Sequence, residues 1–147
     1  MEELSQAIHD EIARLSAKGD SLAEEARFKE AVACYNEAWK LVPEPKNQWD
    51  ASIWLLAAIG DSCFLGGFHK SGHEALSFAL HCPNGFGNPF VHLRLGQCAY
   101  ELGDLAEAAE QLTRAYALDG AKIFDLDDSK YFSFLKSKIS PPASGAW

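Results

Sequence analysis

The sequence predicts an all-α fold built from helix hairpins, and three features of the chain point to it. Apolar residues recur every three or four positions in successive segments, which is the spacing of amphipathic helices. No segment alternates apolar and polar residues with the period of two that indicates a strand. A pattern of large and small residues occurs at least twice, starting at Phe28 and at Leu105. A supersecondary unit copied along a chain is typical of repeat proteins, which bind through their surfaces.

The first half of the chain is expected to form four helices. The first runs from about Glu3 to Lys18 and continues through Ser21 to Ala26, with Leu4, Ile8, Ile12 and Leu15 on one stripe. The others are expected at about 28–41, 49–65 and 69–80. The second of the four ends because Pro43 and Pro45 cannot continue a helix, and Gly66-Gly67 closes the third.

The second half is expected to add three helices. One begins at about Pro89, which is favourable in a first turn, and ends at Leu102 before Gly103. The next covers about 105–118 and stops at Gly120, and a short closing helix covers about 129–139. We therefore predict a single domain over residues 1–139 and a flexible tail over residues 140–147.

The repeated pattern is explained by packing. Small residues let two helices approach closely, and large residues fill the gaps between hairpins. The matching positions are Ala31, Tyr35, Ala38 and Leu41 in one copy, and Ala108, Leu112, Ala115 and Leu118 in the other.

These residues resemble the tetratricopeptide repeat. The copy near the C-terminus matches best, through Leu95-Gly96, Ala99, Tyr100 and Gly103-Asp104-Leu105. The first copy matches through Leu15, Gly19, Leu22, Phe28, Ala31, Tyr35, Ala38 and Pro43. The middle copy is looser, because Ser71 or Gly72 stands where the small alanine belongs. The resemblance implies a right-handed superhelical stack of about three hairpins, with repeats at about 12–45, 48–84 and 89–122, and a capping helix at about 129–139.

In this family the first helix of each hairpin lines a concave groove that binds a partner. Carried over position by position, the groove residues here are Asp20, Glu24, Trp54, Asp61, Phe64, Phe90, Arg94, Gln97, Tyr100 and Glu101. The alternative is that Trp54, Phe64 and Phe90 belong to the core. A carboxylate-binding clamp of Lys, Asn and Arg, which one subgroup of the family uses, is not expected, because Asp20 and Asp61 stand at two of the matching places.

The charge of the chain bears on its partners. The formal net charge of −8 disfavours nucleic acid and anionic membrane surfaces. Between Glu101 and Asp128 there are eight acidic and two basic residues, which is either a solvated face or a surface that attracts a basic partner. The candidate acidic surface consists of Asp104, Glu107, Glu110, Asp125, Asp127 and Asp128.

No catalytic residue, cofactor site or metal site is predicted. His69 and His73 have the i, i+4 spacing of two metal ligands, but a zinc site needs three or four. The four cysteines form no CxxC pair, and their place in the repeat pattern is that of packed thiols. An acidic N-terminus and the lack of a long apolar run predict a cytoplasmic protein that does not engage a membrane.

The function expected from these features is that of a non-enzymatic protein-binding module. The loop from Cys82 to Phe90 and the segment from Ala115 to Leu135 weakly resemble small bacterial tetratricopeptide proteins, some of which stand beside toxins. That resemblance favours an immunity-type inhibitor that masks a basic toxin or effector. The alternative is a chaperone or adaptor that holds an extended peptide of a secreted or multi-component partner. A metal-dependent or thiol enzyme is the third hypothesis, from a different class.

Overall fold

Seven α-helices in chain order make up the protein in a computed structural model that describes residues 4–147. They are α1 (Gln6–Glu24), α2 (Phe28–Lys40), α3 (Asp50–Leu65), α4 (His69–Ala79), α5 (Pro89–Glu101), α6 (Leu105–Asp119) and α7 (Lys130–Lys138). Short 3₁₀ helices lie at Lys46–Gln48 and Ala121–Phe124, and the described residues contain no strand. The all-α fold is confirmed. The expected helix start at Glu3 and the domain start at residue 1 lie outside the described residues.

The helices pack as three hairpins, α1–α2, α3–α4 and α5–α6, each closed by the same kind of contact. A glycine of the first helix lies directly against a large side chain of the second. The pairs are Gly19 with Tyr35, Gly60 with Leu76, and Gly96 with Leu112. A Cβ on these glycines would lie 2.6, 2.4 and 2.8 Å from the partner side chain, so no other residue fits without displacing it.

The register of the middle hairpin follows from Gly72. It is the fourth residue of α4, as Ala31 is of α2 and Ala108 is of α6. All three are buried, whereas Ser71 is exposed. A Cβ on Gly72 would lie 3.0 Å from Cys98 Sγ, so an alanine here would require the sulfur to shift by a few tenths of an ångström.

The turns inside the three hairpins share one backbone conformation. Ala26, Gly67 and Gly103 have φ values of 59°, 84° and 86°, in the left-handed region. In each turn the next residue donates its N–H to a carbonyl five residues back, the bond of a Schellman cap. The first hairpin therefore holds an alanine in a conformation that favours glycine.

The C-terminal segment, residues 121–147, packs against the last hairpin. Phe124, Tyr131 and Leu135 are buried together with Leu93 of α5 and Leu112 of α6. The predicted flexible tail ends with the ring of Trp147, whose centroid lies 5.9 Å from that of Tyr116 and 6.1 Å from that of Phe132. The mobility of the tail stays a prediction.

We expect the substitution Ala26→Gly to raise the free energy of unfolding by about 0.5–1 kcal/mol, because relief of the left-handed strain exceeds the entropy that glycine adds to the unfolded chain. The measurement is urea denaturation followed by circular dichroism. The matched control is Gly103→Ala, whose new Cβ would meet no atom within 4 Å, so that it tests the backbone alone. It should lower the free energy by about 1 kcal/mol. A destabilised Ala26→Gly variant would contradict the assignment of strain.

Candidate partner-binding surface

The predicted groove residues lie along one stripe of the first helices. The three hairpin glycines set the register, so that Trp54 of α3 corresponds to Phe90 of α5, and Phe64 to Tyr100. Asp20, Asp61 and Gln97 correspond in the same way. We call this stripe of α1, α3 and α5 the first-helix face. Most α5 residues of the first-helix face lie together under the C-terminal segment, whereas the α1 and α3 part of this face is more open.

Arg94 is the centre of the covered part. Its Nε donates to Asp61 Oδ1 over 2.9 Å, and its Nη1 donates to Asp127 Oδ1 over 2.9 Å and to Gln97 Oε1 over 2.7 Å. The guanidinium carbon lies 4.6 Å from the ring centroid of Phe64. The side chains of Arg94 and Asp127 are each only 8% exposed, so the charge of the arginine depends on these partners.

Asp127 corrects the predicted acidic surface. Gln97 Nε2 donates to its second carboxylate oxygen over 3.0 Å, so both oxygens are bonded inside the protein. The prediction that Asp127 faces solvent is wrong, because the buried guanidinium of Arg94 requires a nearby carboxylate. Asp127 links the C-terminal segment to α5, and through Arg94 to α3.

A second polar cluster lies beside the first. Glu101 Oε1 accepts a hydrogen bond from Lys130 Nζ over 2.6 Å and one from the Tyr131 hydroxyl over 2.9 Å. The bond from Lys130, with a smaller contribution from Tyr131, holds the pKa of Glu101 below its usual value. Burial and the bond to Glu101 raise the pKa of Tyr131. The rings of Tyr100 and Tyr131 meet edge to face with centroids 5.4 Å apart.

The α1 and α3 part of the first-helix face is accessible. Asp20 and Glu24 are exposed, and Asp20 Oδ1 accepts the Tyr35 hydroxyl over 2.6 Å. Trp54 is 43% exposed, a large value for an indole in the middle of a helix. The structure therefore does not place Trp54 in the core, whereas Phe64 and Phe90 are half-buried against Arg94.

The other acidic residues have separate surroundings. Glu107 lies beside His73 of α4, with its two oxygens 2.8 and 3.1 Å from Nε2. Asp104 caps α6 by accepting the N–H of Glu107. Four of the six predicted acidic-surface residues are exposed, namely Asp104, Glu110, Asp125 and Asp128.

The hypothesis of a metal-dependent or thiol enzyme would need a reactive cysteine or a cluster of metal ligands. Burial raises the pKa of the Cys63 thiol to about 11 and that of Cys98 to about 12, which disfavours the reactive thiolate. No group of three or more His, Cys, Asp or Glu side chains in residues 4–147 is arranged to hold a metal ion.

Sequence reasoning missed the part that His92 plays. This buried ring accepts the N–H of Gly87 at Nε2 over 3.1 Å, and its Nδ1 lies 2.7 Å from Gln111 Oε1. It thereby fixes the loop between α4 and α5. His92 is the fourth residue of α5, and the sequence around it does not indicate that its ring bonds to the loop.

Residues 89–121, which cover α5, α6 and the connection after them, match the family model of the tetratricopeptide repeat. No curated protein matched the chain. Together with the all-helical structure, the match supports a tetratricopeptide repeat protein, and such repeats are protein–protein interaction units. Among the helices of residues 4–147, none has the length and apolar character needed to cross a membrane.

We expect Asp127→Asn to lower the free energy of unfolding by on the order of 3 kcal/mol, because it removes the carboxylate that balances a buried arginine. The matched control is Asp125→Asn at an exposed site two residues earlier, with an expected change within about 0.5 kcal/mol. Urea denaturation measures both. Equal effects of the two substitutions would show that the bond between Arg94 and Asp127 does not hold the C-terminal segment in place.

The Glu101 cluster predicts a pH dependence. Because its folded pKa is depressed, its stabilisation is complete above the unfolded pKa and is lost as the pH falls through the folded value. The difference in free energy of unfolding between the native chain and Glu101→Gln should therefore shrink from about pH 6 to about pH 3. In a Lys130→Gln background this pH dependence should be much weaker. An unchanged dependence in that background would contradict the role given to Lys130.

Proposed function

We propose that this chain is a non-enzymatic protein-binding scaffold that holds a folded, basic partner on the open α1 and α3 part of its first-helix face. The exposed indole of Trp54 is the observation that carries this proposal. Its counterpart on α5, Phe90, lies against the buried guanidinium of Arg94, whereas Trp54 is left accessible. Tryptophan is among the residues that most often dominate binding energy at protein interfaces.

The charges on the same face as Trp54 support a basic partner. Asp20 and Glu24 are exposed on α1, and Asp61 of α3 is still 35% exposed although it is paired with Arg94. Acidic groups on the same face as an apolar anchor attract a basic surface, and they raise the rate of association more than the final affinity.

The shape of the open surface favours a folded partner over an extended peptide. The C-terminal segment covers the α5 part of the first-helix face through Asp127 and Tyr131. A peptide groove running along all three first helices is therefore interrupted. An open area that spans α1 and α3 suits a protruding patch of a folded protein, and masking of an active site by such contact is the action of an immunity-type inhibitor. A cytoplasmic location fits this action and stays a prediction.

The first test is binding of a partner found by co-expression with the products of adjacent genes. We expect Trp54→Ala to weaken that complex by about 30-fold, the effect of losing a hot-spot residue of about 2 kcal/mol. The matched control is Phe86→Ala, which removes an aromatic ring that is 63% exposed in the loop before α5. Calorimetry of the purified pairs measures both, and an equal loss in both variants would contradict the proposed surface.

A second test separates an inhibitor from a chaperone. For the inhibitor, the partner should be a folded protein whose activity or toxicity disappears on complex formation, and Asp20→Asn with Glu24→Gln should slow association chiefly at low salt. Binding of only an unfolded segment of the partner would support the chaperone alternative. If no neighbouring product binds and none is toxic alone, the immunity reading fails.

A further inference from the structure

A cleft of about 450 Å³ lies between α2 and α4, on the side of the fold away from the first-helix face. Its floor is made by α3, through the buried side chains of Leu56 and Ile59. Trp39 and Phe78 meet edge to face at one end, with ring centroids 5.7 Å apart. This volume lies within the range of small-molecule pockets, and an apolar floor with a few polar groups is their usual construction.

The side-chain pair that joins the next two second helices has no counterpart across this cleft. Between α4 and α6, His73 and Glu107 join the helices through their side chains. With Ala31, Gly72 and Ala108 in register, the corresponding residues of α2 and α4 are Val32 and Ser71. Both of these short side chains line the cleft, and neither reaches across it as the imidazole and carboxylate do.

The charged groups of the cleft leave one negative charge in excess. Glu44 and Glu74 line it, and within residues 4–147 neither carboxylate has an ion-pair or hydrogen-bond partner. The ammonium of Lys46 is already held, since it donates to the carbonyls of Trp39 and Val42 over 2.6 and 2.8 Å. It also lies 4.9 Å from the centroid of the Trp39 ring.

We propose that this cleft is a binding site for a small organic monocation, an amine with an apolar body of the size of a phenylalkyl group. The apolar body would cover Leu56 and Ile59 on the floor. The ammonium would pair with the carboxylate of Glu44 or Glu74, and the 40% exposed ring of Phe78 lines the same cleft. Two carboxylates and an aromatic face are a general recognition set for such a cation. The site lies on the other side of α3 from Trp54, so it does not rest on the proposed scaffold function.

The test uses the isotopically labelled full-length chain and three probes of matched shape: phenylbutylamine, phenylbutanol and phenylbutyrate. Shifts of the Trp39 indole signal, assigned with Trp39→Phe, report binding by nuclear magnetic resonance. We expect the amine to bind with a dissociation constant on the order of 1 mM, the alcohol more weakly and the acid weakest. Equal binding of amine and acid, or shifts confined to other residues, would overturn the proposal.

Two variants test the mechanism. Glu44→Gln with Glu74→Gln should weaken the amine by at least about threefold and leave the alcohol unchanged, whereas Glu110→Gln on α6 should change neither. Val32→His with Ser71→Glu transplants the bridging pair and should abolish binding of both amine and alcohol while circular dichroism stays native. If that variant fails to fold, the variant with Glu44→Gln and Glu74→Gln is the test by itself. An unchanged affinity of this variant for the amine would rule out the site.

Discussion

The contact between a glycine of each first helix and a large side chain of the second is the constraint on which the structure depends. Gly19, Gly60 and Gly96 place the two helix axes of their hairpins close enough for Tyr35, Leu76 and Leu112 to lie over the missing side chains. Because each pair also fixes the rotation of the helices, it decides which residues of every helix face inward. The same three contacts therefore align the first-helix face and place the second helices on its far side.

The register set by these glycines explains how distant residues come together. Arg94 and Asp61 are adjacent because they lie on neighbouring first helices at nearly the same level of the stack. Burial of the guanidinium is tolerated only with carboxylates on both sides, and Asp127 supplies the second. The C-terminal segment is thus held by charge as well as by the apolar contacts of Phe124 and Leu135, and it ends the open face at α5.

The helices and the hairpins could be predicted from the sequence, because both depend on local spacing and on small residues at fixed offsets. The contacts that charged side chains make could not be predicted from the sequence. Asp127 stands in an acidic run, for which solvent exposure is the usual outcome, and its arginine lies 33 positions earlier in the chain. Sequence reasoning also left the register of the middle copy open between Ser71 and Gly72. In the structure Gly72 packs against Cys98 at the buried position, and Ser71 lines the cleft.

The middle hairpin departs from the repeat pattern, and the accessible features of the fold gather there for a physical reason. In α3, Trp54 lies on one side of the helix, and the cleft floor at Leu56 and Ile59 lies on the other. The C-terminal segment covers only α5 and the end of α3. On the other side, the His73–Glu107 contact joins α4 to α6. Because Trp54 does not line the cleft and lies on the other side of α3 from its floor, the two surfaces share no side chain, and we expect binding at one to be energetically independent of binding at the other.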